Sequence, residues 1–367
     1  MIMRDKKIDI VRGIAIVLMV IGHSGCPLKK FIYLFHMAVF FMISGYLFIP
    51  KYEKGLNGIV EYILRKLKGI WLPYFVWTII YTLLNNVFLL VNIYSSKEAF
   101  VLGEAVAAHA RMSVTDMLKN IVKAIFMSGR TEMGGAFWFL RTLFCLSCFF
   151  YIAGYILWKV IKSDRARDVV NLLMAFLFLF VGYVMHLKGI QTFGIPIVFS
   201  TYVLFLIGHL IRKYSLLERM MNLKSFFVSL FILVLACFRG APISLGDNNF
   251  GNPIYMLIMS LAGWILCYYI AANFEKCFCG NGFAKLGKHT MSIVILHFLC
   301  FKLIHLLQIF IYNYPIEYLA KFPYLNGNGA WWVMYAFVGV LVPIVLGFIY
   351  RKVINFIRQP KRINIMI

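Results

Sequence analysis

The sequence predicts an all-α polytopic membrane protein, a bundle of about ten transmembrane helices, and three observations lead there. Of the 367 residues, 62% are hydrophobic and only 14% are charged, and the mean hydropathy is +0.83. Apolar runs of about 20 residues, long enough to cross a hydrocarbon core of ~30 Å, recur along the whole chain. Lys and Arg gather in short clusters between those runs, the pattern of the positive-inside bias. That placement makes the net charge of +23 a matter of topology and not of nucleic-acid binding. Long apolar runs also exclude a β-barrel, whose strands alternate polar and apolar residues.

Taken in order, the expected spans are 8–27, 31–50, 69–93, 136–160, 169–187, 196–212, 225–239, 253–273, 291–312 and 330–350. An even number puts both termini on one side. Of the 37 Lys and Arg residues, 24 fall on that side, 10 on the other and 3 within spans, so both termini are expected in the cytoplasm. The first run imitates a secretory signal. It contains Arg12 and His23 and lacks a small-residue cleavage site, so it reads as a retained span. The long outer segment, 94–135, contains SVTDMLKNIVKAIFMSG, with a cap and helical apolar spacing. It is either an amphipathic helix lying on the outer membrane surface or a plain connecting helix. No repeat and no low-complexity tract is visible, and residues 1–367 are expected to form one membrane domain with no appended soluble domain. The eight cysteines form no disulfide framework. Cys277 and Cys279 make a lone C-x-C without further ligands at metal spacing, and no metal site is expected.

Ionisable residues inside spans are rare and usually face the bundle interior. In RGIAIVLMVIGHSG, Arg12 and His23 lie eleven residues apart. That spacing leaves them about 20° apart around a helix and ~16.5 Å apart along it. Arg12 is expected near the inner mouth, where Asp9 can pair with it, and His23 near the outer face. A snorkelling arginine with an interfacial histidine is the plainer alternative. His36 opens the second span at similar depth, so His23 and His36 suit a general base and its orienting partner. Ser44 and Gly45 fit close helix packing. In FWFLRTLF, Trp138 is either an interfacial aromatic or a substrate contact, and Arg141, one turn deeper, suits an anionic or sugar substrate. In the ninth span His297 is expected near the inner third and His305 nearer the outer end. Lys302 and His305, spaced i, i+3, are candidates to face one cavity. Arg65, Lys66 and Lys68 in RKLKGIWLPYF suit lipid headgroups or the phosphates of a nucleotide-like donor. The residues alone fit a transmembrane enzyme or a transporter equally.

The sequence resembles the acyltransferase-3 family of integral membrane acyltransferases. The resemblance rests on DIVRGIAIVLMVIGH with its R-x10-H, FHMAVFFMISGYLF, RKLKGIWLPYF, FWFLRTLF and LGKHTMSIVILH, which fall in order between residues 8 and 297. Ala38 stands where a proline is common, and Thr290 and Val294 replace the usual serine and tyrosine before His297. The resemblance implies transfer of an acyl group, usually acetyl from cytoplasmic acetyl-CoA, to a hydroxyl of an extracytoplasmic glycan or lipid-linked sugar. It makes Arg12 and His23 the essential pair, with His36 beside them. Arg12, Arg65, Lys66 and Lys68 would hold the CoA phosphates, while Trp138, Arg141, His297, Lys302 and His305 would face the acceptor. No permanently bound cofactor is expected; acyl-CoA is a co-substrate. A separate extracytoplasmic transferase or a second copy of the chain are the expected protein partners, in a bacterial-type cytoplasmic membrane. Export of a surface polysaccharide is the alternative activity; a membrane-anchoring or sensing module is a third.

Overall fold

The structure, a computed structural model, describes residues 5–97, 111–190 and 192–358. Among these the regular structure is helical, apart from an isolated bridge between Ser244 and Asn249. The helices are α1 (Lys6–His23), α2 (Lys29–Tyr33), α3 (His36–Tyr46), α4 (Leu56–Lys66), α5 (Leu72–Leu83), α6 (Asn85–Leu90), α7 (Val114–Ile125) and α8 (Phe137–Val160). They continue as α9 (Asp164–Leu187), α10 (Ile195–Lys213), α11 (Leu217–Met220), α12 (Leu223–Arg239), α13 (Pro253–Phe274), α14 (Phe278–Lys288), α15 (Thr290–Tyr312) and α16 (Trp331–Arg358).

Six of the described helices are long and apolar enough to cross a membrane: α8, α9, α10, α13, α15 and α16. The chain is thus a multi-pass helical membrane protein. The other four expected spans take different local forms. The 18 residues of α1 include Lys6, Lys7, Asp9 and Arg12. The apolar run 31–50 breaks at Leu34–Phe35 into α2 and the 11-residue α3. The run 69–93 begins in a wide π turn, Leu67–Trp71, and is interrupted again between α5 and α6 at Leu84. In the seventh region α12 has 17 residues. A run of apolar side chains specifies burial in lipid or protein but carries no mark where the helix must turn.

Local signals start the helices that frame the interior. Asp5 caps α1, its carboxylate accepting from the backbone N–H groups of Lys7 at 2.9 Å and Ile8 at 3.4 Å. Ile8, Ile10, Val11, Ala15, Ile16 and Val20 of α1 are all buried, so this helix runs through the core with α3, α13, α14, α15 and α16 around it. Small residues of α14 (Gly280, Ala284 and Gly287) are buried, and Gly287 meets the backbone of α1 at Asp9. An equally close crossing is α3 on α10. A Cβ on Gly45 would lie 1.8 Å from the Phe205 carbonyl oxygen, and one on Gly208 would lie 2.0 Å from that of Met42. Backbones meet at that crossing because neither helix carries a side chain there.

The segment 94–135 does contain a helix. Ser113 caps α7 in a reciprocal box with Asp116. Asn120 and Ala124 are buried towards α5, while Val114, Leu118, Val122, Ile125 and Phe126 form an exposed apolar face. Residues 98–110 of the same segment lie outside the described residues.

Candidate active site

A cavity of about 920 Å³ opens among α1, α2, α3, α8, α9 and α10 and the loops 127–136 and 243–248. His23 ends α1 on its wall, and Tyr33 and His36 complete that side; Trp138 and Arg141 of α8 line it too. Short connections make the grouping. Only the residues between α1 and α3 separate His23 from His36, and they include the five-residue α2. The structure therefore brings together His23, His36, Trp138 and Arg141, four of the expected site residues.

The histidines are oriented by hydrogen bonds. His36 Nδ1–H donates to the Ile32 carbonyl at 2.9 Å, which leaves its Nε2 as an acceptor. His23 Nδ1 shares a hydrogen bond of 3.2 Å with the Tyr33 hydroxyl. With Nδ1–H donating to that hydroxyl, the lone pair of His23 Nε2 is left for chemistry. The Tyr33 ring is 6.1 Å from that of His23 and 5.0 Å from that of His36, so it ties both to one short segment. His297 packs its ring 5.6 Å from His23, and Phe298 packs at 5.0 Å. His297 Nδ1–H donates to Ile293 O at 2.9 Å. Its buried Nε2 has no hydrogen-bond partner among the described residues. The expected depth of His297 needs correcting, since α15 brings it level with His23 and not to a separate inner position.

Lys302 and His305 are not brought to this cavity. Lys302 Nζ donates to the carbonyls of Leu319 and Lys321, both at 2.9 Å, and His305 Nδ1 bonds the Leu319 carbonyl at 3.1 Å. Both are buried and clasp the segment 316–321 against α15. A buried donor takes the nearest carbonyl left outside a regular helix, and shared spacing on α15 carried no information about what lay opposite.

Arg12 lies on the His23 stripe of α1, as the helical arithmetic requires, but it does not line the cavity. Asp9 Oδ1 is 3.9 Å from its Nη1. Between the two functional candidates the same stripe carries Ile16 and Met19, 0% and 3% exposed, and Met19 faces the cavity. Arg65 and Lys66 sit over the Tyr62 ring at 5.1 and 5.2 Å, and Lys66 is within electrostatic reach of Arg12. Lys68 is exposed. Lys51 and Lys54 are instead paired with Glu61 at 2.5 and 3.0 Å. Hydrogen bonds from these two ammonium groups hold the Glu61 carboxyl down at about 2. Arg12, Arg65 and Lys66 thus form a basic zone apart from the cavity.

Four residues of the site lay outside the reading of the sequence. Tyr33 belongs to a turn with no motif of its own, although its nearness to both histidines in the chain was a usable signal. Arg130, His186 and Asp247 reach the cavity from two loops and a helix end that only the tertiary fold brings together.

A bundle of apolar helices enclosing paired imidazoles and a large cavity defines an integral membrane protein with a candidate active site. The chain matches, over residues 5–350, a family model described as an acyltransferase domain, and it belongs to that acyltransferase family. Neither the curated proteins nor the solved structures compared with it contain a match. The protein is accordingly an acyl-transferring enzyme.

Proposed function

We propose that the enzyme moves an acetyl group from cytoplasmic acetyl-CoA to a hydroxyl of an extracytoplasmic glycan or lipid-linked sugar, in a bacterial-type cytoplasmic membrane. On this reading the chain crosses ten times and both termini are cytoplasmic, so the basic zone faces the cytoplasm and the cavity faces outward. One observation carries it: His23, held through Nδ1, faces a cavity large enough for a sugar, while Arg12 lies on the same stripe of α1, within electrostatic reach of Lys66. Arg12, Arg65, Lys66 and Lys68 dock the CoA phosphates, for which paired guanidinium and ammonium groups are suited. Ile16 and Met19, buried on the stripe between Arg12 and His23, give way for the pantetheine arm to bring the thioester to His23.

His23 Nε2 takes the proton of the acceptor hydroxyl as its oxygen attacks the thioester carbonyl. The tetrahedral intermediate collapses with cleavage of the carbon–sulfur bond, and the imidazolium returns its proton to the departing thiolate. The products are the acetyl ester and CoA. His36, with its Nε2 free to accept, orients the acceptor hydroxyl, and Trp138 offers an apolar ring for a sugar face. A thioester is already activated, so a positioned base and an ordered acceptor account for the chemistry.

The test is transfer of radiolabelled acetyl from acetyl-CoA in proteoliposomes. His23→Ala is expected to lower kcat by about 10²–10⁴, the usual contribution of a general base. A folded variant with full activity would remove His23 from the chemistry. Movement of acceptor across the bilayer without any donor would instead identify an exporter.

A further inference from the structure

The rim of the cavity holds positive charge that the chemistry above does not use. Arg130 and Arg141 both line it, together with His186, and the one carboxylate among its described lining residues, Asp247, accepts a hydrogen bond from the Ser244 hydroxyl. No carboxylate among the described residues pairs with either arginine. Arg141 Nε is buried without a hydrogen-bond partner.

The surrounding structure holds the backbone of Arg130 and packs the Arg141 guanidinium. Asn120 of α7 clamps the backbone of Arg130 from both sides: its Nδ2 donates to the Arg130 carbonyl at 3.2 Å, and its Oδ1 accepts from the Arg130 N–H at 3.1 Å. The neighbouring Gly129 carbonyl accepts from the Tyr74 hydroxyl at 2.9 Å. Arg141 lies against Gly194, where a Cβ would sit 2.6 Å from Nη2, and Gly194 has φ +70°. Glycine there satisfies a left-handed backbone and leaves room for the guanidinium. Two arginines lining one cavity, neither paired with a carboxylate among the described residues, make a receptor for oxygen anions.

We propose that Arg130 and Arg141 form an anion subsite, binding a phosphate or carboxylate group carried by the acceptor. The proposal rests on the cavity being the acceptor site. The acceptor class is thereby narrowed to acidic glycans and sugars linked to lipid through phosphate. The anion anchors one end of the acceptor at the rim, while Trp138 packs on a ring and the hydroxyl to be acetylated is held at His23.

The experiment uses the full chain in nanodiscs of zwitterionic lipid, titrated calorimetrically with inorganic pyrophosphate, tetragalacturonic acid and neutral maltotetraose. At least one anion is expected to bind, more weakly as salt rises. Arg141→Gln and Arg130→Gln are each expected to weaken that binding by about tenfold, the loss of one charge-assisted hydrogen bond. Pyrophosphate alone binding assigns the subsite to a phosphate linkage, and tetragalacturonate binding assigns it to an acidic sugar. Maltotetraose binding is expected to be the same in parent and variants. Arg130 is exposed and outside any helix, so its variant reports on the subsite even where Arg141→Gln disturbs α8. Failure of both anions to bind, or unchanged binding in both variants, overturns the proposal. Binding is read without turnover, so a protein that binds these anions through the two arginines but never transfers acetyl would sink the transferase reading and leave the subsite standing.

Discussion

Tyr33 is the side chain on which the geometry of His23 depends. Its hydroxyl is the only hydrogen-bond partner given to His23 Nδ1 by the described residues, and its ring spaces His23 from His36. Tyr33→Phe keeps the packing and removes the hydroxyl. One hydrogen bond is worth roughly 0.5–1.5 kcal/mol, so kcat is expected to fall by up to about tenfold with the acetyl-CoA KM unchanged. Steady-state kinetics in proteoliposomes measure both; a changed KM with constant kcat would mean that Tyr33 touches donor instead of orienting the base. Arg12 and His23 were legible in the sequence because one helix period relates them. Tyr33 was not, because its role comes from a turn that folds back onto the helix. Lys302 and His305 show the converse: their spacing was visible, but the carbonyls of 319 and 321 that hold them were not.

Helix contacts set two further expectations. At the α3–α10 crossing, Gly208→Ala would push a methyl to 2.0 Å from a backbone oxygen that cannot rotate away. Overpacking of this kind destabilises by about 1–3 kcal/mol. In α14, Gly282 has open space around its Cβ position, and Gly282→Ala is expected to stabilise by up to ~1 kcal/mol through helix propensity. Thermal unfolding in detergent should therefore move in opposite directions for the two variants. The start of α7 depends on pH instead. The Asp116 carboxyl is held below its ordinary value by hydrogen bonds from the Ser113 hydroxyl and N–H. A lowered carboxyl stabilises the fold above its unfolded value of about 3.9, and that contribution disappears as pH falls through the lower folded value. Amide exchange in the first turn of α7, corrected for intrinsic rates, should be steady from pH 7 to 5 and rise below about pH 4. Ser113→Ala should remove this step. The cap was readable in SVTD, whereas the breaks at Leu34–Phe35 and Leu84 interrupt apolar runs that look continuous.

At the scale of the whole molecule, the distribution of Lys and Arg predicts the orientation, and Cys279 can test it. This thiol is exposed at the start of α14, in the region that packs on the Asp9 end of α1. With Cys279 as the only remaining cysteine, a membrane-impermeant maleimide is expected to label inside-out vesicles and spare right-side-out ones; the reverse pattern would invert the topology. Helical class and multi-pass character were legible from composition. The cavity was not, because its arginines, tyrosine and histidines come from segments far apart in the chain.

Ile16 and Met19 have a bearing on membrane energetics. They fill the stripe between Arg12 and His23 with buried apolar side chains, so that stripe offers no polar path from Arg12 to the cavity. A continuous wet path would let protons run down the transmembrane potential, which is worth about 2.3 kcal/mol per charge for each 100 mV. On the proposed topology, two apolar side chains thus act as electrical insulation between Arg12 and the cavity of His23 in an energised bilayer.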